Sequence, residues 1–120
     1  MSQTIKPIEL HVQDPWCFYL QIGRKTVEGR KGTLKKYDGW IGKEIYFYNE
    51  KRKFPVRVTD LRHYSNLHSY LVGEGIHNVL PGVSNIQEAK KIYESLPNIS
   101  YSEIHIEEVG GIVAIEIELL

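Results

Sequence analysis

The segment that most restricts the fold is the last one, IVAIEIEL at residues 112–119. Its apolar residues Val113, Ile115, Ile117 and Leu119 recur every second position, the period of a strand with one buried face. Two more stretches read the same way. EIYFYN (44–49) and FPVRVTDLR (54–62) flank the polar turn Asn49–Lys53, and Val56 and Val58 alternate with Arg57 and Thr59. PIELHV (7–12) is a fourth strand, and residues 25–30 leave a glycine corner in extended form. Helical signals fall between the strands. Asp14 is placed to cap a short helix that has Pro15 at its first position, a buried stripe of Trp16, Leu20 and Ile22, and Gly23 as its end. Residues 31–42, rich in Gly, Lys and Asp, form a loop. Ser65 or Asn66 caps a helix to about Val72 that Gly73-Glu74-Gly75 breaks. Leu80-Pro81-Gly82-Val83 is a turn, and Asn85 caps a helix reaching Leu96 with Ile86, Ala89, Ile92 and Tyr93 on one side. Residues 101–109 fit a short helix or a strand. The expected architecture is α+β: a small barrel or curved sheet of about five to six strands, with short helices inserted, in one domain over residues 1–120.

At 120 residues the chain can bury a core without disulfide or metal support. Cys17 is the only cysteine, which excludes an internal disulfide and a cysteine-based zinc site and fits a reducing, cytoplasmic setting. On the first turn of a helix it reads as a small buried hydrophobe. No two of the five histidines have close zinc-ligand spacing, so neither a metal nor a cofactor is expected. The N-terminus lacks the apolar core of a signal peptide, and no apolar run is long enough to span a membrane.

The net charge of zero conceals an asymmetry: residues 24–62 carry a net +7 and residues 63–120 a net −6. Two readings are open. The basic half faces an anionic partner, or the two halves neutralise each other in the fold.

The densest group of chemically capable side chains is Gly23-Arg24-Lys25-Thr26-Val27-Glu28-Gly29-Arg30. Strand alternation after Gly23 puts Thr26, Glu28 and Arg30 on one face and Val27 on the other. An Arg two positions from a Glu can form a charge-assisted pair that fixes the carboxylate, and Lys25 at the corner can reach the same space. Residue types alone equally allow a surface salt-bridge ladder, worth about 0–1 kcal/mol. Elsewhere, Trp40, Tyr46, Tyr48 and Tyr64 are interleaved with Lys43, Lys51, Arg52, Lys53 and Arg62. Rings among cations suit a single-stranded RNA or a lone base, although core packing also explains many of them. Glu74, between two glycines, is a further candidate because such flanks let a backbone approach a ligand.

The octapeptide matches G-x-K-x-x-E-x-R and so resembles the signature of the ASCH family. Pro15-Trp16 before it, Gly39-Trp40-x-Gly42-Lys43, the block Tyr64…Tyr70-Leu71…Glu74-Gly75, Leu80-Pro81-Gly82-Val83 and Val113-Ala114-Ile115-Glu116-Ile117 are similar in the same order over nearly the whole chain. The resemblance implies a PUA-like barrel whose cleft binds single-stranded RNA or a modified nucleoside. Lys25, Glu28 and Glu74 would be the reactive groups, and Arg30, Tyr64, Trp40, Lys43 and Arg62 the binding groups. One branch of that family hydrolyses N(4)-acetylcytidine with the signature lysine, a threonine three residues later and a glutamate. Here Glu28 stands where that threonine would be, which favours binding over hydrolysis. An enzyme of the amidohydrolase or ribonuclease kind is the alternative, and a protein-interaction domain the third reading.

Overall fold

The computed structural model describes residues 6–96 and 101–120. Five strands, β1 (Glu9–His11), β2 (Val27–Lys31), β3 (Glu44–Tyr48), β4 (Lys53–Tyr64) and β5 (Ile112–Leu119), form one sheet in the order β1-β3-β4-β5-β2. The β1–β3 pair is parallel and the others are antiparallel. The sheet curls into a half-barrel, which agrees with the α+β architecture read from the sequence. The bend is visible in the register of the central strand. Pairing of β4 with β5 shifts between Val58 and Asp60, a bulge of the kind that turns a strand sharply.

Curling buries both faces of β5. Val113, Ile115 and Ile117 pack inside the curl with Ile45, Phe47, Val56 and Val58. Ile112 and Ala114 face outward into a second core built with the helices. Leu119, expected on the buried face, is exposed at the end of β5. On β3, Ile45 and Phe47 are buried while Tyr46 is half-buried and Tyr48 exposed, so the aromatic pair takes the wet face.

The helices α1 (Trp16–Gln21), α2 (Leu67–Glu74), α3 (Ile76–Val79), α4 (Ile86–Glu94) and α5 (Glu103–Glu108) lie between strands, with a 3₁₀ turn at Leu34–Tyr37. Asn66, Asn85 and Ser102 each accept a backbone N–H of the first turn, of Ser69, Glu88 and His105 respectively. The start of α1 departs from expectation. Pro15, not Asp14, occupies the cap position, because the Asp14 carboxylate is taken by Arg52 and by the Asn49 amide at 2.8 Å. Ile22 is exposed, and the buried residues of α1 are Cys17 and Leu20. Burial raises the Cys17 thiol to a pKa of about 11, so it behaves as a small hydrophobe. No helix among the described residues is long and apolar enough to cross a membrane.

Part of the charge asymmetry is met by pairing between the two segments. Arg57 pairs with Glu118, and Arg62 pairs with Glu74 and Glu116, all cations of the basic segment meeting carboxylates of the acidic one.

Candidate functional site

The edge strands β1 and β2 meet across the open side of the half-barrel, and the site forms at that seam. Gly23 (φ +81) ends α1 and reverses the chain, so that the N–H groups of Arg24 and Lys25 both donate to the Tyr19 carbonyl, at 2.9 and 3.1 Å. The reversal drives the Lys25 side chain inward until it is 1 % exposed. Its Nζ donates to the carbonyls of Val27 (2.5 Å) and Val79 (2.6 Å) and lies 3.4 Å from Glu28 Oε1. Three acceptors match the three donors of an ammonium. Burial lowers the Lys25 pKa from its ordinary value and the Glu28 charge opposes the shift.

Beyond the corner, β2 alternates. Val27 and Gly29 face the helices, while Glu28 and Arg30 face the seam. Gly29 is required there: a Cβ would stand 2.5 Å from Tyr70 Oη, and Tyr70 is fully buried. Arg30 Nε donates to Glu28 Oε2 at 3.0 Å, and its Nη2 donates across the seam to the His11 carbonyl of β1 at 2.5 Å. Burial disfavours the Arg30 charge, but the Glu28 carboxylate outweighs it and holds the guanidinium above its usual pKa. Glu28 thus bridges two basic side chains. The described hydrogen bonds use two of the five N–H groups of Arg30.

Against this trio opens a cavity of about 230 Å³, walled by Trp16, Leu80, Ile92, Tyr93 and Tyr101 and rimmed by His11 and Gln13. Tyr93 is fixed from behind by an Oη–Oη hydrogen bond of 3.0 Å to Tyr70, and its ring lies 5.7 Å from that of Tyr101. Burial pushes the Tyr101 hydroxyl up to a pKa of about 12, so it stays neutral at ordinary pH.

The sequence candidates therefore divide. Lys25, Glu28 and Arg30 converge on the cavity. Glu74, Arg62 and Tyr64 converge on one another instead. Glu74 ends α2, and its carboxylate accepts from Arg62 Nε at 2.8 Å, Arg62 Nη2 at 2.6 Å and Tyr64 Oη at 2.5 Å. Arg62 also reaches Asp60 (2.7 Å) and Glu116 (2.9 Å). The Arg62 hydrogen bonds hold the Glu74 carboxyl below the usual 4.5, against the effect of burial. Glu74 is not among the cavity walls, so the hollow expected between it and Lys25 does not form; α3 and its neighbouring turns intervene, with Asn78 donating to the Glu74 carbonyl at 2.8 Å. Trp40 packs edge-on against Tyr37 with ring centres 5.0 Å apart, and the exposed Lys43 begins the approach to β3; neither reaches the cavity.

Trp16, Tyr93 and Tyr101 were the cavity residues hardest to find from sequence. Trp16 and Tyr93 read as core, and they do pack on the two cores while presenting a face to the cavity. For Trp16 and Tyr93 the local signal was an aromatic on a helix stripe, whereas Tyr101 lies ahead of α5.

No family model matches the chain, and no curated protein matches it. Among solved structures, it is similar to the crystal structure of the hypothetical protein PH0355, with 34% identity, a TM-score of 0.77, and coverage of 96% of this chain and 100% of that one. It is similar also to the solution NMR structure of PF0455 from Pyrococcus furiosus, with 32% identity, a TM-score of 0.69, and coverage of 96% and 98%. At that identity over nearly the full length of each, the chain belongs to the protein family that includes PH0355 and PF0455.

Proposed function

We propose that the chain is a nucleoside- or RNA-binding domain of the ASCH kind, which takes one unpaired base into the cavity at the seam. The observation that carries this reading is the pairing of aromatic walls with Arg30, which lines the same cavity as Tyr93, Tyr101 and Trp16 and has only two of its five N–H groups in described hydrogen bonds. A cavity of about 150 Å³ admits benzene. One of about 230 Å³ has room for a substituted heterocycle and excludes a duplex or a stack of bases. Rings supply a stacking surface, and an arginine with free donors suits the carbonyl oxygens of a base edge or a phosphate. The match to the G-x-K-x-x-E-x-R signature at Gly23, Lys25, Glu28 and Arg30 points the same way.

In this reading Lys25 is a positioning residue. Its donors are committed to two carbonyls and Glu28, so it orients Glu28 and holds positive potential under the ligand. Binding is favoured over hydrolysis for a specific reason. The glutamate that would serve as the base, Glu74, is saturated by Arg62 and Tyr64 outside the cavity.

The test is a calorimetric titration of the four ribonucleosides and N(4)-acetylcytidine, with Trp16 fluorescence as a second readout. At least one nucleoside binds, and Arg30→Ala weakens it about tenfold or more, the loss expected for a hydrogen bond to a charged donor. Chromatography of the N(4)-acetylcytidine mixture shows no cytidine. Absence of nucleoside binding, or binding indifferent to Arg30→Ala, overturns the reading; cytidine release that Lys25→Ala abolishes replaces it with the amidohydrolase.

A further inference from the structure

Just beyond the cavity, the end of β2 and the 3₁₀ turn present two lysines that the base-binding reading leaves unused. Lys31 Nζ lies 5.2 Å from the centre of the Tyr101 ring, one of the cavity walls. Lys36 Nζ lies 5.7 Å from the centre of the Tyr37 ring. The two carriers are tied together, because Tyr37 Oη donates to the Lys31 carbonyl at 2.8 Å. Gly32 (φ +117) makes the bend between them, and a Cβ there would stand 3.2 Å from Lys36 Cδ, so the stem of Lys36 lies back along the turn towards Lys31.

Their electrostatic setting differs from that of the paired cations near the seam. Lys25 and Arg30 share Glu28, Arg52 has Asp14, and Lys53 has Glu9. Among the described residues, neither Lys31 nor Lys36 has a carboxylate within ion-pair distance. Burial, and then the Lys36 charge, lower the Lys31 pKa from its usual value. Two like charges carried on one tied turn, each over an aromatic ring, favour an anion that can lie between them. The rings also restrict the stems, which reduces the entropy lost when the heads engage a ligand.

We propose that Lys31 and Lys36 form a phosphate subsite beside the cavity, so that the ligand is a phosphorylated nucleoside, with its base against Tyr93 and Tyr101 and its phosphate on the two lysines. This rests on the base-binding reading of the cavity. The same chemistry is offered by a free nucleoside monophosphate and by one unit of a single-stranded RNA, and the experiment separates them.

The best-binding ribonucleoside is titrated beside its 3′- and 5′-monophosphates and a trinucleotide that contains it, at two or more salt concentrations. The proteins are wild type, Lys31→Gln/Lys36→Gln, and a control, Lys51→Gln/Lys91→Gln, which removes the same charge from exposed lysines elsewhere. In wild type, one monophosphate binds about tenfold tighter than the nucleoside. The Lys31→Gln/Lys36→Gln protein loses that gain and keeps the nucleoside affinity, and the control keeps both. The log–log salt slope for the trinucleotide falls by about 0.7 per phosphate released. A trinucleotide that binds more tightly than the monophosphate identifies the strand as the source; equal affinity identifies the free nucleotide. If nucleosides bind but phosphate adds nothing, or the gain survives in Lys31→Gln/Lys36→Gln, this inference falls and the cavity reading stands. If neither nucleosides nor nucleotides bind, the cavity reading fails and this inference falls with it.

Discussion

The molecule contains two arginine–glutamate clusters, and they do opposite things. Around Arg62, four described hydrogen bonds or ion pairs engage Glu74 twice, Asp60 once and Glu116 once, so carboxylates outnumber the guanidinium. Tyr64 then fills what remains of Glu74. Around Glu28 the count is reversed, with two cations on one carboxylate, and Arg30 keeps donors to spare beside a cavity. An ion pair is therefore a poor marker of a site. What distinguishes the seam is an unspent hydrogen-bonding capacity facing an empty space with apolar walls. The saturated cluster instead serves as a clamp. It fixes the end of α2 to β4 and β5, while a chain of rings, Tyr64, Tyr70, Tyr93 and Tyr101, with centres 5.7–6.0 Å apart, runs from it to the cavity.

The largest expected effect tests the joint between the two. Gly29→Ala would put a methyl 2.5 Å from Tyr70 Oη and 3.1 Å from Ile112, both in the core. Neither can retreat, so the variant loses about 3 kcal/mol, seen as a lower urea midpoint with an unchanged slope. A midpoint equal to wild type would mean that Tyr70 does not lock the strand. The clamp comes next. Arg62→Ala leaves Glu74 as a nearly buried carboxylate held by Tyr64 alone. Breaking a fully buried pair costs roughly 3–5 kcal/mol, and because Arg62 is a third exposed the loss here is about 2 kcal/mol. Nucleoside affinity measured on the folded protein is unchanged. Arg30→Ala gives the converse result: about 1 kcal/mol of stability, since Lys25 still holds Glu28, and the tenfold or greater loss of affinity already stated. If Arg62→Ala weakened binding as much as Arg30→Ala, the division into clamp and site would collapse.

The same contrast explains what could be read from the chain beforehand. Lys25, Glu28 and Arg30 lie within six residues, and one glycine corner plus strand alternation suffices to bring them together. The caps at Asn66 and Asn85 were legible for the same reason, being local. Glu74 was legible as unusual but not as a clamp. Its glycine neighbours look like room for a ligand, yet at Gly73 a Cβ would stand 2.6 Å from the Tyr64 ring, and Gly75 has φ +87 where α2 ends. Both glycines serve packing and chain reversal. The partners that saturate Glu74 sit 10 and 12 residues upstream on another element, and no spacing rule reaches them. The cavity walls are harder still. Trp16, Tyr93 and Tyr101 meet Arg30 only because the sheet curls until its edges approach, a consequence of the β4 bulge and of a β5 buried on both faces. The charge asymmetry was legible as a total, but the pairing of Arg57 and Arg62 with Glu118 and Glu116 follows from the alignment of β4 with β5.

The smallest effect sharpens the comparison through pH. In the fold, Arg62 and Tyr64 make the Glu74 carboxyl more acidic than its usual 4.5, so the unfolded chain binds the proton more readily. The stabilisation is then complete above the unfolded value and drains away as pH falls through the folded one. Wild type loses stability on acidification below about pH 5, and Glu74→Gln, less stable at neutral pH, loses less over the same interval. Denaturant midpoints at pH 7, 5 and 3.5 measure the difference. Because this proton belongs to the clamp and not to the cavity, nucleoside affinity at pH 5 in the two proteins is the same. An affinity that tracked the Glu74 titration would mean that the two clusters are energetically one, coupled through the tyrosine chain.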